Sequence, residues 1–140
     1  MVFLKMREIN SKILIPEIRK LLTYATSKSK ISEEYINYIQ TNQSRLFVWE
    51  LDGEIVGCIG IESINKRHCK IKHIAVSANK RKAGIGSKMI NNIIEQNKIT
   101  ILSAETDNDA VGFYKKCGFT ITSLGEKYPG VERFECLLKK

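Results

Sequence analysis

Residues 71–94 read IKHIAVSANKRKAGIGSKMINNII and predict a strand, a short turn with two glycines and an amphipathic helix, in that order. A helix start leaves about four backbone N–H groups without partners, and its dipole adds roughly half a positive charge. Gly84 and Gly86 lack side chains that would keep an anion away from these groups. Four basic residues lie nearby: Lys80, Arg81, Lys82 and Lys88. The stretch therefore predicts a site for phosphate groups.

The turn matches neither of two well-known phosphate motifs. A P-loop requires Gly-x-x-x-x-Gly-Lys-Ser/Thr, and residues 84–88 read GIGSK instead. A dinucleotide fingerprint requires a third glycine three residues after Gly86, where this chain has Met89. On its own, the two-glycine turn leaves two interpretations open: a tight strand-to-helix connection and an anion site.

A second motif lies downstream, where residues 104–119 read AETDNDAVGFYKKCGF. With the first stretch it resembles the GNAT superfamily of N-acetyltransferases. Their cofactor motif reads Arg/Gln-x-x-Gly-x-Gly/Ala after an apolar-Ala-Val strand end, as Arg81-x-x-Gly84-x-Gly86 does here after Ile74-Ala75-Val76. Their next motif reads Asn-x-x-Ala-x-x-Phe-Tyr-x-x-x-Gly-Phe. Its matches here are Asn108, Ala110 (one residue early), Phe113-Tyr114 and Gly118-Phe119.

The resemblance implies an acetyl-CoA site and assigns residues to each part of the cofactor. The strand end at Ile74, Ala75 and Val76 would pair through its backbone with the pantetheine arm, since an extended ligand can add like a strand. Asn108 would contact the same arm. Tyr114 would direct its hydroxyl to the thioester sulfur. The pyrophosphate would lie on the turn formed by Arg81, Lys82, Ala83, Gly84, Ile85, Gly86 and Ser87.

The family reaction is direct attack of a free amine on the thioester carbon in a ternary complex. An alkylammonium with a pKa of about 10.4 is almost fully protonated at neutral pH, so a proton must leave before attack. Tyr114 can donate a proton or a hydrogen bond to the departing sulfur. A backbone N–H near Ile74 would polarise the thioester carbonyl.

The general base is the least determined part of the mechanism. Some relatives carry a glutamate four residues before the position of Ile74, where this chain has Lys70. Glu62 at the end of a central strand is the first candidate, followed by Glu105 and His73. Each also has a structural interpretation, the two glutamates as solvated residues and the histidine as a semi-buried imidazole.

The acceptor is expected to be a primary amine of a small molecule or a peptide. The family lines its acceptor pocket with the first two helices and the later strands. Aromatic candidates there are Tyr24, Tyr35, Tyr38, Trp49 and Tyr128. The alternative function is a non-catalytic module of the same fold that binds an acyl-CoA as a sensor. The sequence leaves the choice between monomer and homodimer open.

The element order predicted from periodicity is strand, two helices, three strands, helix, strand, helix and two strands. The first strand is expected at residues 2–9, Ser32 as the N-cap of the second helix, and Asp52-Gly53 as a hairpin turn. The last helix is expected at residues 107–116, and a loop is expected at residues 128–130 before the last strand. The resemblance implies an α+β fold with α/β/α-like layers and one domain over residues 1–140. It also implies a mixed, mostly antiparallel sheet of six to seven strands, with helices on both faces and a splay after the fourth strand.

Composition argues against several other classes of protein. The formal net charge of +8 attracts phosphates, but there is no basic tail or basic stripe with interleaved aromatics, so nucleic acid is not expected. No apolar run approaches the roughly 20 residues of a membrane span, and no signal peptide is recognisable, which predicts a cytoplasmic protein. The four cysteines form no Cys-x-x-Cys pair, so no metal site is expected.

Overall fold

A seven-stranded sheet runs through the molecule in the computed structural model, which describes residues 4–140. The strands are β1 (Leu4–Glu8), β2 (Ser44–Leu51), β3 (Glu54–Ser63), β4 (His68–Val76), β5 (Ile101–Thr106), β6 (Thr120–Tyr128) and β7 (Val131–Lys139). The helices are α1 (Pro16–Leu22), α2 (Ile31–Gln40), α3 (Ile85–Asn97) and α4 (Val111–Lys116). Sheet order is β1-β2-β3-β4-β5-β7-β6. Only β4 and β5 pair in parallel, so the mixed, mostly antiparallel α+β fold is confirmed.

Two apolar clusters cover the two faces of this sheet. Helices α1 and α2 form one cluster with residues of β2 and β3, including Leu46 and Cys58. Helices α3 and α4 form the other with residues such as Ile59 and Leu102. Residues 58 and 59 are neighbours on β3 and belong to opposite clusters, as the two-residue period of a strand requires. The helices therefore lie on both faces, as expected.

Local sequence explains the start of α1 and the turn between β2 and β3. Pro16 is the first residue of α1, where its fixed φ suits the helix and its missing N–H is not needed. Asp52 and Gly53 form the β2–β3 turn with φ of 51° and 84°, as a two-residue hairpin requires. The prediction of Ser32 as an N-cap is wrong. A 3₁₀ turn at Lys28–Lys30 leads directly into α2, which therefore begins at Ile31.

Three other boundaries differ from the prediction. The first strand is described from Leu4 to Glu8, while residues 2 and 3 lie outside the described part of the chain. Residues 107–110, expected in a helix, form a turn before α4. Strand β6 extends to Tyr128, so the loop predicted at residues 128–130 is a tight hairpin turn. None of the helices described here is long and apolar enough to cross a bilayer.

The sheet opens between β4 and β5, which confirms the splay after the fourth strand. The two strands pair only at His68↔Ile101, Cys69↔Leu102 and Lys70↔Ser103. Beyond Lys70, β4 stays paired with β3 while β5 stays paired with β7. The edge of residues 71–76 that faces away from β3 is therefore open. We call this opening the slot.

An irregularity in β4 lies beside the slot. Gly60 of β3 pairs with His73, and Ile61 pairs with Ile71, so Lys72 is an extra residue without a partner in the ladder. Such a bulge changes which face the following side chains point to. Ile71 belongs to the cluster of α3 and α4, whereas Ala75 belongs to that of α1 and α2.

Candidate active site

A cavity of about 740 Å³ lies where the slot meets the start of α3. It brings together three regions that are distant in sequence: the end of β4, the turn before α3, and α4. Its lining residues are Tyr24, Ile74, Ala75, Val76, Lys80, Arg81, Lys82, Gly84, Ile85, Gly86, Ser87, Asp109, Ala110, Phe113, Tyr114, Lys116 and Cys117. Most of the residues expected to hold acetyl-CoA therefore share one cavity.

The start of α3 provides free backbone donors to this cavity. The first α-helical bond runs from the N–H of Lys88 to the carbonyl of Gly84. Among residues 4–140, the N–H groups of Ile85, Gly86 and Ser87 have no acceptor. Gly84 has φ of 78°, the left-handed region that favours glycine, and this lets the chain enter the helix at the turn. Three amides at the positive end of a 13-residue helix fit a phosphate group.

Arg81 is held at the mouth of the cavity. Its Nε donates a hydrogen bond to the carbonyl oxygen of Val76 at 3.1 Å. Its guanidinium carbon lies 4.6 Å from the ring centroid of Tyr24, within the range of a cation–π contact. Tyr24, which the sequence suggested for the acceptor pocket, thus lies beside residues 81–87, which we call the phosphate turn. A pantetheine arm that pairs with the Val76 carbonyl must share that oxygen with Arg81 or displace the Arg81 side chain from it.

Gly86 has a packing role besides its expected one. A Cβ built at this position would lie 2.8 Å from the Phe113 ring, closer than real Cβ contacts allow. The glycine therefore lets α4 approach the first turn of α3. This contact places Phe113 and its neighbour Tyr114 in the wall of the cavity.

The Tyr114 hydroxyl is available for chemistry. The residue is 6% exposed, and its ring packs edge-on against Phe113 and Phe119 with centroids 5.2 Å apart. Burial raises the pKa of this hydroxyl, so it keeps its proton at neutral pH. Its oxygen has no hydrogen-bond partner within residues 4–140. Since no fully buried side-chain N or O atom there lacks a partner, this oxygen reaches solvent.

Two residues expected to hold acetyl-CoA and the first candidate for the base do not line the cavity. Ala83 is exposed in the turn, and Asn108 is exposed in the loop before α4, whereas its neighbour Asp109 lines the cavity. Glu62 is half-buried at the end of β3, in register with Lys70. The roles expected of all the site residues, inside the cavity or outside it, stay predictions.

Glu62 lies on the α1/α2 face of the sheet. It shares that face with Gly60, against which the Tyr38 hydroxyl packs. Its charge contributes to the raised pKa of Tyr38, after burial, Cys58 and Glu34. Tyr114 belongs to the core cluster of the other face. The slot is therefore the route by which groups on the two faces could act on one substrate.

The other two base candidates have different surroundings. Glu105 accepts a hydrogen bond from Lys127 at 2.9 Å and lies 3.7 Å from Arg133. The hydrogen bond from Lys127 lowers the pKa of this carboxyl, which makes it a weaker base. His73 is 7% exposed and lies 2.5 Å from the Tyr38 hydroxyl through its Nδ1.

The sequence did not indicate several functional contacts. Phe113, Cys117 and Asp109 line the cavity, and Tyr38 is bonded to His73. One signal was present for the last pair, because Gly60 interrupts the apolar run of β3. Of the remaining acceptor candidates, Tyr35 and Trp49 are buried in the core and Tyr128 is exposed on β6.

Comparison with known proteins agrees with the fold. The family model described as Acetyltransferase (GNAT) family matches residues 15–119. The chain belongs to this family. It is 31% identical over 61 residues to an uncharacterized N-acetyltransferase in the lysA 3′ region of Bacillus methanolicus. That match spans 44% of this chain and about half, 51%, of the relative.

Solved structures of this family have the same fold. The IAA acetyltransferase from Bacillus cereus matches with a TM-score of 0.75 and 21% identity, over 99% of this chain and 100% of that one. A GNAT family acetyltransferase from Elizabethkingia anophelis, solved with acetyl-CoA bound, matches with a TM-score of 0.75 and 20% identity, over 98% of both chains. At these identities the likeness shows the fold.

Proposed function

We propose that this chain is an acetyl-CoA-dependent N-acetyltransferase that moves an acetyl group to a primary amine by direct attack in a ternary complex. One observation carries the proposal: a single cavity contains the first amides of α3, the open edge of β4 and the hydroxyl of Tyr114, and within residues 4–140 these amides and this hydroxyl have no hydrogen-bond partner. Acetyl-CoA as the acyl donor is supported by the family and by the relative solved with it.

The residues of the cavity fit the parts of this donor. The amides of Ile85, Gly86 and Ser87 suit the pyrophosphate, and Arg81 adds positive charge beside them. The open edge at residues 74–76 suits an extended amide-containing arm, which can pair with a strand. The donor supplies a thioester whose carbonyl carbon accepts an amine nitrogen.

Two side chains handle the protons in the proposed reaction. The amine nitrogen forms a bond to the thioester carbon, and the carbon–sulfur bond breaks. Glu62 takes the proton that the amine must lose, directly or through water, from the α1/α2 face. Tyr114 donates a hydrogen bond or its proton to the departing sulfur, for which its raised pKa keeps it protonated.

The decisive variant is Tyr114→Phe, which removes one oxygen and keeps the packed ring. We expect kcat for acetyl transfer to fall about 100-fold, the size of a general-acid contribution, while the Kd for coenzyme A stays unchanged. Thiol release in the presence of a panel of amines measures kcat, and titration calorimetry measures Kd.

Two outcomes would contradict this proposal. Coenzyme A binding without thiol release for any amine would indicate a sensor module. Equal kcat values for Tyr114→Phe and the wild type would exclude the hydroxyl from the reaction. Unchanged thermal unfolding of the variant is the control that separates catalysis from folding, because the Phe ring fills the same core position.

A further inference from the structure

A second polar arrangement lies across the sheet from the cavity, on the α1/α2 face. Tyr38 of α2 lies with its hydroxyl 2.5 Å from Nδ1 of His73 on β4, and the two rings meet edge-on at 5.6 Å between centroids. Gly60 makes room for this contact, because a Cβ there would lie 1.9 Å from the Tyr38 hydroxyl oxygen. Three elements thus fix the orientation of one imidazole.

The contact also fixes where the imidazole carries its proton. Within residues 4–140, Nδ1 of His73 is the one hydrogen-bond partner of the Tyr38 hydroxyl. Burial raises the pKa of Tyr38, so the hydroxyl keeps its proton and donates a hydrogen bond to Nδ1. Burial also lowers the pKa of His73, so the ring is neutral at pH 7. A neutral ring that accepts at Nδ1 carries its hydrogen on Nε2.

The second ring nitrogen is accessible to solvent. Nε2 of His73 has no hydrogen-bond partner in the described chain, and no fully buried side-chain nitrogen there lacks one. Nε2 therefore reaches solvent although the residue is 7% exposed. His73 follows the bulge at Lys72 in the part of β4 that does not pair with β5, one residue before Ile74 of the cavity. This places a neutral N–H donor beside the slot.

The acceptor side of the slot is where this donor would act. His73 does not line the cavity of the acyl donor, and its Tyr38 contact lies in the α1/α2 core. Glu62, the proposed base, lies on the same face near Tyr38. The other charged groups near the ring, Glu34 and Lys72, lie 3.6 Å apart as an ion pair.

We propose that Nε2–H of His73, oriented by Tyr38, donates a hydrogen bond to an oxygen of the acceptor. The preferred acceptor is then an amine with an adjacent carbonyl oxygen, as in an α-amino amide or a peptide N-terminus. This inference rests on the proposed acetyl transfer. It also removes His73 from the candidates for the base, because the ring nitrogen that is not bonded to Tyr38 already carries a proton.

The first test reads the tautomer directly. Nitrogen-15 NMR of the uniformly labelled protein at pH 7.5 distinguishes protonated from unprotonated ring nitrogens. The chain has two histidines, so His68→Gln assigns the signals of His73. We expect an unprotonated Nδ1 and a protonated Nε2, and an averaged pattern in Tyr38→Phe. A proton on Nδ1 in the wild type would overturn the proposal.

The second test measures selectivity with glycinamide and propylamine as acceptors. The ratio of their kcat/KM values, compared between variants, cancels the difference in basicity of the two amines. His73→Leu should lower the ratio about fivefold to tenfold, the effect of one hydrogen bond. His73→Gln, which can still present an N–H, should lower it less. His68→Leu, on the same strand, should leave it unchanged.

Two kinetic outcomes would overturn the acceptor contact. Equal losses of kcat/KM for both amines in His73→Leu would indicate a structural or general catalytic role. An unchanged ratio would show that the donor touches no substrate oxygen. If no amine is acetylated although coenzyme A binds, the proposed function and the acceptor contact both fail, whereas the NMR spectrum still decides the tautomer.

Discussion

The two faces of the sheet beside the slot contain the same residue type in opposite situations. On the α3/α4 face, Tyr114 has a buried ring and a hydroxyl without a partner in the described part of the chain, whereas on the α1/α2 face the hydroxyl of Tyr38 is bonded to His73. Burial raises the pKa of both hydroxyls. The difference shows that hydrogen-bonding partners, and not burial, separate a hydroxyl available for chemistry from one that orients another side chain.

Each face also has a glycine against an aromatic ring, and substitution there gives the largest expected effect. In Gly60→Ala the new Cβ would lie 1.9 Å from the buried Tyr38 hydroxyl. We expect the free energy of unfolding in denaturant to fall by about 3 kcal/mol, the upper end of overpacking. Gly86→Ala meets the half-buried Phe113 at 2.8 Å, which can shift, and should lose about 1 kcal/mol.

Gly112→Ala is the matched control for both substitutions. A Cβ at this position in α4 has no atom within 4 Å. The change should therefore leave stability unchanged or raise it by up to about 1 kcal/mol, because alanine favours a helix. If Gly60→Ala were as neutral as this control, the fixed position of Tyr38 would be wrong.

A smaller effect is expected at the phosphate turn, on the cavity side only. Arg81→Gln removes the charge beside the free amides of α3 and should weaken coenzyme A binding about tenfold. The salt dependence of binding should decrease as well. Calorimetry at two ionic strengths checks both. Arg19→Gln, at an exposed position of α1, makes the same change in net charge. An equal loss of coenzyme A affinity in that variant would mean that overall charge, and not the position of Arg81, causes the effect.

The smallest effect is a pH dependence that belongs to the other face. Burial lowers the pKa of His73; the charge of Glu34 raises this pKa and the charge of Lys72 lowers it further. Above about pH 6.5 the folded and unfolded chains both hold this ring neutral. As pH falls below that value, only the unfolded chain takes up the proton, so stability is lost until the folded pKa is reached.

His73→Gln isolates this contribution. The wild type should lose about 1 kcal/mol more than the variant between pH 7.5 and 5.5, measured by denaturant unfolding at both values. All other groups are common to the two proteins, so their contributions cancel in the difference. Identical pH profiles would mean that the imidazole is not desolvated on folding. Tyr114 contributes nothing in this range, because its hydroxyl stays protonated.

The sequence predicted the cavity side of the site better than the acceptor side, for a physical reason. The phosphate turn is local, since Gly84 and the helix after it are contiguous and follow backbone rules. Tyr114 could be placed because it lies in a motif of the family. The Tyr38–His73 contact joins residues 35 positions apart, and no local rule specifies such a pair.

Two further features needed the fold as well. The contact between Gly86 and Phe113 depends on how α3 and α4 approach each other, which periodicity within either helix does not contain. The bulge at Lys72 depends on how β4 pairs with β3. Glu62 was placed correctly at a strand end, but its position on the face opposite Tyr114 follows only from the register of the sheet.

The extra residue Lys72 shifts the alternation of side chains along β4 by one position. Before Lys72, odd-numbered positions such as Ile71 point to the α3/α4 core; after it, even-numbered positions such as Ile74 do. Deleting Lys72 would make the pairs Gly60↔His73 and Ile61↔Ile71 consecutive, so Ile74 and Val76 would keep facing the same core. What the deletion would remove is the local bend and extra twist that a bulge gives a strand, here beside the slot.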